Sequence, residues 1–129
     1  FNGELINLAG DAEEGMYLYS CYNPNSDSEL IQNFVQEYSD ANGMEPDFVA
    51  ANAYDSVYML KAAIEEAGST DREAIKDALY NVEITGTQGT LKFDENGDVE
   101  KVAVAFQIQN GEFVELKDAF KLWSDFIAE

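Results

Sequence analysis

Apolar positions along the chain recur mostly at helical spacing up to about residue 82 and at alternate positions after it. Residues 3–9 predict a short helix in which Leu5 and Leu8 share a face and Gly10 stands at the C-terminal cap. Residues 15–22 are apolar at nearly every position, as in a strand covered on both faces. Asn23-Pro24-Asn25 is a turn, and Ser26 with Glu29 has the spacing of a capping box. The helix behind it carries Leu30, Ile31, Phe34, Val35 and Tyr38 on one stripe and stops near Asn42-Gly43. Pro46-Asp47 opens a third helix, running to about Ala67 before Gly68, with a stripe of Val49, Ala53, Val57, Leu60 and Ile64. Thr70 and Glu73 form a second capping-box pattern ahead of a short helix with Ile75, Ala78 and Leu79 inward.

Beyond residue 82 the period becomes two. Residues 90–93 alternate, Asn96-Gly97 supplies a tight turn, and Val102, Val104, Phe106 and Ile108 alternate again, which predicts a hairpin. Asn110-Gly111 is a second turn, leading into residues 113–116. Residues 119–127 are amphipathic, with Phe120, Trp123 and Ile127 on one helical face. The predicted class is α/β: a short helix, a buried strand, three helices, an antiparallel hairpin or meander, and a C-terminal helix. No internal repeat and no low-complexity linker interrupts this order.

Charge narrows the functions. Against 26 acidic residues stand seven basic ones, a net charge of −19. Such a surface repels phosphates and anionic lipid headgroups, which argues against nucleic acid as a partner. The acids are spread along the chain, as on solvated faces. An apolar share of 46%, with 12% aromatic, is enough to build a core.

Candidate chemistry is sparse. The chain has no histidine, so Ser–His and Cys–His hydrolysis cannot be carried within it, and one common metal ligand is missing. No catalytic residue and no cofactor is predicted. Its single cysteine, Cys21, cannot form an internal disulfide and has few cations nearby in sequence to make it reactive. Asp94-Glu95-Asn96-Gly97-Asp98 resembles a calcium loop at a glance, but glycine stands fourth, not sixth, and a turn explains it better. The same holds for Asn23, Asn25 and Asp27, so no metal site is predicted. The adjacent pairs Glu13-Glu14 and Glu65-Glu66 cannot face each other across a cleft as hydrolytic carboxylates do.

Five segments, taken in order, carry a family resemblance. They are residues 5–17 (Leu5-Ile6-Asn7-Leu8-Ala9-Gly10-Asp11-Ala12-Glu13-Glu14-Gly15-Met16-Tyr17), residues 34–38 (Phe34-Val35-Gln36-Glu37-Tyr38) and Glu45-Pro46-Asp47 leading into residues 50–57 (Ala50 to Val57). Residues 67–75 (Ala67 to Ile75) and 86–98 (Gly86 to Asp98) complete the set. Together they resemble the later part of periplasmic branched-chain amino acid substrate-binding proteins of ABC transporters, over about residues 3–116. Residues 117–129 fall outside the resemblance.

What the resemblance implies is a two-lobed type I periplasmic-binding-protein fold, of which residues 1–116 would supply parts of both lobes. The chain would cross into the first lobe for the helices and return to the second for the meander. It implies an extracytoplasmic location, in the periplasm or at a lipid-anchored cell surface. It also implies a small-molecule amino acid ligand, a membrane ABC permease as partner, and a preceding half of the same protein. The family's carboxylate that pairs with the ligand amine would precede Phe1, as would most of its polar anchors. The cleft residues expected here are Phe48 and Val49, at the mouth of the third helix. Tyr22, at the end of the strand, is a third ligand candidate, because open α/β sheets bind at the carboxyl ends of strands. Two alternatives stay open: a ligand-sensing regulatory domain of the same fold, and a self-associating interaction domain or homo-oligomer held through exposed apolar faces.

Overall fold

The computed structural model describes residues 3–117. The predicted helix at 119–127 lies outside the described residues. Ten elements follow one another: α1 (Gly3–Ala9), a single 3-10 turn (Gly10–Glu13), β1 (Tyr17–Ser20), α2 (Glu29–Asn42), α3 (Phe48–Ala67), α4 (Arg72–Leu79), β2 (Glu83–Gly86), β3 (Gly89–Lys92), β4 (Val104–Gln109) and β5 (Glu112–Glu115). They fall into two compact units, residues 21–102 and the described residues on either side of them.

The flanking unit is built on a three-stranded antiparallel sheet in the order β1-β4-β5. Tyr17 pairs with Gln107 and Ser20 with Val104, while Phe106 pairs with Glu115 and Ile108 with Phe113. The central strand β4 buries Ala105, Phe106 and Ile108. The Asn110-Gly111 turn is as expected. Both residues have positive φ, 55° and 75°, which matches the twist of a two-residue hairpin. The glycine carries that conformation at no steric cost. The prediction for β1 is met only in part: Leu18 is half-buried and Ser20 buried, but Tyr17 and Tyr19 are 68% and 55% exposed.

In the other unit α3 is a spine of 20 residues shared by two cores. Its first half packs against α2 around Tyr22, Ile31, Phe34 and Ala51. Its second half packs against α4 and the β2–β3 hairpin around Met59, Ala63, Ala78, Val82 and Leu91. The predicted inward stripes of α2 and α4 are buried or half-buried as expected. The stripe of α3 is not. Its buried positions are Ala51, Asp55, Met59 and Ala63, whereas Val49, Val57 and Leu60 are 56%, 67% and 47% exposed. An aspartate in the buried phase made that face look solvated, and the richer apolar stripe lies elsewhere on the helix.

Helix starts depart from the predicted capping boxes. Ser28 caps α2 without a side-chain bond, and Ser26 Oγ instead accepts the Ser28 N–H at 3.3 Å. Asp71, not Thr70, caps α4, accepting the N–H groups of Glu73 and Ala74 at 3.1 Å. Aspartate is a stronger cap than threonine, and its charge meets the positive end of the helix dipole.

The strands after residue 82 do not form one meander. β3 pairs backward with β2, a strand the pattern did not predict, in the register Ile84–Leu91 and Gly86–Gly89. Asn96-Gly97 does turn the chain, with Gly97 at φ 84°. Across that turn only the single bridge Phe93–Val99 forms, and β4 pairs with β1 and β5.

Candidate functional site

The three predicted ligand residues are placed differently. Asp47 caps α3, its Oδ1 accepting the N–H groups of Val49 and Ala50, both at 3.0 Å. This fixes Phe48 and Val49 as the first two helical residues, and they remain 40% and 56% exposed. They are an apolar pair held outward at a rigid helix start. Tyr22 is fully buried in the α2–α3 core and meets the Phe34 ring edge-on at 6.1 Å. Burial pushes its hydroxyl well above the usual phenol range, and the nearby carboxylates of Glu45 and Asp47 push it further. Tyr22 is thus close to the α3 start but packed beneath it, whereas Phe48 and Val49 face outward.

The remaining candidates resolve into local structure. Asp94 Oδ1 accepts the main-chain N–H groups of Asn96 and Asp98 at 2.8 and 2.9 Å, closing the turn. Those bonds, that from Asp98 foremost, hold the Asp94 carboxyl below its ordinary value. Asn23 Oδ1 accepts the Asn25 N–H at 3.0 Å in a second turn. Glu14 accepts the Asn110 N–H at 2.8 Å, and Glu65 lies 3.7 Å from Lys61 on an exposed face. Cys21 is a half-buried free thiol. Among the described residues no three His, Cys, Asp or Glu side chains gather where they could hold a metal. No described helix is long and apolar enough to cross a membrane.

A polar constellation that the sequence reasoning missed lies midway along α3. Asp55 is 3% exposed, and its two oxygens accept the Thr87 N–H at 2.7 Å, the Thr87 hydroxyl at 3.0 Å and the Gln88 amide at 3.2 Å. Gln88 also donates to Asn52 Oδ1 at 2.9 Å. Lys101 donates to that same oxygen at 2.8 Å and to Gln88 Oε1 at 3.1 Å. The group joins α3 to the β2–β3 turn and to the segment before β4. Both halves of it stood in the resemblance, Tyr54-Asp55-Ser56-Val57 and Gly86-Thr87-Gln88-Gly89. The signal linking them was Asp55 at the fourth place after Ala51 and before Met59, an acid in the buried phase of a helix. Beside it a cavity of about 230 Å³ opens between α3, α4 and the hairpin.

Comparisons with known proteins agree with this architecture. The family described as periplasmic binding protein matches residues 1–112. A leucine-, isoleucine-, valine-, threonine- and alanine-binding protein of Pseudomonas aeruginosa is 34% identical over 102 residues, which are 77% of this chain and 26% of that protein. The leucine-binding protein of Thermotoga maritima superposes with a TM-score of 0.77 at 34% identity, over 88% of this chain and 33% of its own. A branched-chain amino acid transporter substrate-binding protein of Streptococcus pneumoniae, solved with isoleucine, gives 0.78 at 25% identity, over 89% and 35%. The chain therefore spans about a quarter to a third of the length of these relatives. Over the part it spans, the chain has the type I fold and belongs to the periplasmic binding protein family.

Proposed function

We propose that this chain is part of an extracytoplasmic binder of a small solute, a branched-chain or related amino acid, which delivers that solute to a membrane ABC transporter. What carries the reading is that relatives matching in both sequence and fold are named for binding such amino acids. Phe48 and Val49 supply the local chemistry: an exposed apolar pair at a rigid helix start is suited to line one wall of a pocket for an aliphatic side chain. The task is binding and release, which requires no nucleophile or base. The charged ends of an amino acid need polar anchors that this apolar pair does not offer, so the rest of the grip comes from elsewhere in a longer two-lobed protein.

The test is the Phe48→Ala substitution in the longer protein that carries this chain, with leucine binding followed by calorimetry. Losing an aromatic wall is expected to weaken leucine about tenfold or more, a loss of about 1.4 kcal/mol. An unchanged affinity would remove Phe48 from the ligand site.

A further inference from the structure

We infer that the cavity beside Asp55, further along α3 than Phe48, is a second binding site, for short apolar carboxylates that carry no amine next to the carboxylate. Its walls are apolar, formed chiefly by Met59, Leu60, Leu79, Leu91 and Phe93, while Asn52, Asp55, Ser56 and Lys101 stand at its polar side. A volume of about 230 Å³ lies just below the ~300–1,000 Å³ of pockets for drug-sized molecules, and so suits a smaller ligand.

The hydrogen-bond inventory selects the headgroup. Asp55 can only accept, so the Gln88 atom facing it is the amide nitrogen, and Gln88 Oε1 must face Lys101. Gln88 Nε2 and Lys101 Nζ then converge on Asn52, so the Asn52 atom between them is the oxygen. Both amide protons of Gln88 are committed, as are both oxygens of Asp55. Ser56 commits its hydroxyl proton to the Asn52 main-chain oxygen at 2.7 Å. Among the described residues, what remains uncommitted is the Nδ2 amide of Asn52 and the third N–H of Lys101, both on residues that line the cavity.

Charge agrees with that inventory. Lys101 is one of seven cations in a chain with 26 acids, is half-buried, and has no carboxylate within 4.0 Å among the described residues. Asp55 also lines the cavity, but its two oxygens are engaged by three donors, the Thr87 N–H, the Thr87 hydroxyl and the Gln88 amide, which leaves Lys101 as the charged group with a donor to spare. A carboxylate can take both free donors at once, and charge-assisted bonds of this kind are the strong ones. An ammonium group on the neighbouring carbon would stand near Lys101 as a like charge, so leucine binds more weakly than its deaminated skeleton.

The experiment titrates the chain near neutral pH with 4-methylpentanoate, with 4-methylpentanamide and with leucine, following the backbone amide resonances. The expected result is saturable shifts around Asn52 and Lys101 with the acid, and affinity weaker by about tenfold or more for the amide and for leucine. In Lys101→Met the acid is expected to lose about the same factor, and Lys101→Arg to keep most of its binding. Leu60 is 47% exposed, so Leu60→Trp can narrow the cavity without entering the core and should abolish binding. No saturation by the acid at its solubility limit, or equal binding of acid and amide, overturns the proposal. The amide comparison uses the unaltered chain, so a variant that fails to fold does not decide the matter.

Discussion

The carboxylate of Asp55, on the buried side of α3, accepts the main-chain N–H of Thr87 at 2.7 Å across 32 positions of sequence. A second bond from the Thr87 hydroxyl makes the grip two-pronged. Because Asp55 is 3% exposed, its carboxyl group has left water, and these bonds with that of the Gln88 amide take the place of hydration. Asp55→Ala would leave a buried N–H, a hydroxyl and an amide without an acceptor, a loss of about 3 kcal/mol or more. Asp55→Asn should lose less, since it can still accept from Thr87, but its own amide would oppose that of Gln88. Urea unfolding of both variants checks the order. Equal stability of Asp55→Ala and the unaltered chain would show that the network holds nothing.

The same contact explains one glycine and not its neighbour. A Cβ at Gly86 would sit 2.5 Å from Asp55 Oδ1 and 2.7 Å from its Cγ. Gly86→Ala must push the hairpin off α3 and should cost about 2 kcal/mol or more. At Gly89 the φ is +91° but no heavy atom lies within 4 Å of a built Cβ. Gly89→Ala meets only backbone strain, about 1 kcal/mol. Thermal melts of the two variants are expected to rank them in that order.

Much of the fold could be read from the sequence, and the misreadings share one cause. The α2 stripe from Leu30 to Tyr38, the Gly43 and Gly68 caps and the Asn110-Gly111 hairpin are local patterns, decided within a few residues. The buried side of α3 and the pairing of β3 with β2 depend on partners distant in the chain. Asp55 is the clearest case, because a buried carboxylate is legible only once its donors are in place. The start of α3 at Phe48 and Val49 was legible from Pro46-Asp47, while their place in a cleft rests on the resemblance alone. The burial of Tyr22 under α2 was not legible, because it depends on how two helices pack.

Alkaline pH should weaken the chain through its tyrosines. A hydrogen bond with Tyr58, then burial and neighbouring negative charge, push the Tyr54 hydroxyl up from 10.0 to about 12. Tyr22 is raised too, mainly by burial. A raised phenol stays protonated in the fold while its unfolded counterpart ionises. The stabilisation is therefore whole below pH 10 and is lost as the pH rises from 10 to about 12. Urea midpoints measured across that window should fall, and Tyr58→Phe should make the fall shallower. A flat profile would contradict the assignment.

Exposed aromatics on β1 predict association. Tyr17 and Tyr19 sit two residues apart, on one face of the strand, at 68% and 55% exposure. Two large apolar rings side by side form a patch that solvent does not favour. Light scattering at high concentration should report species larger than one chain, and the double change Tyr17→Ser with Tyr19→Ser should reduce them. A strictly monomeric chain at all concentrations would count against it.

If Phe48 and Val49 form one apolar wall of an amino acid cleft, as proposed, their own chemistry offers no anchor for the charged ends of an amino acid. Calorimetric titration of the 129-residue chain with leucine tests this most directly. The expected result is no binding tighter than the millimolar range, about −4 kcal/mol. Micromolar binding of leucine by the chain alone, about −8 kcal/mol, would contradict it.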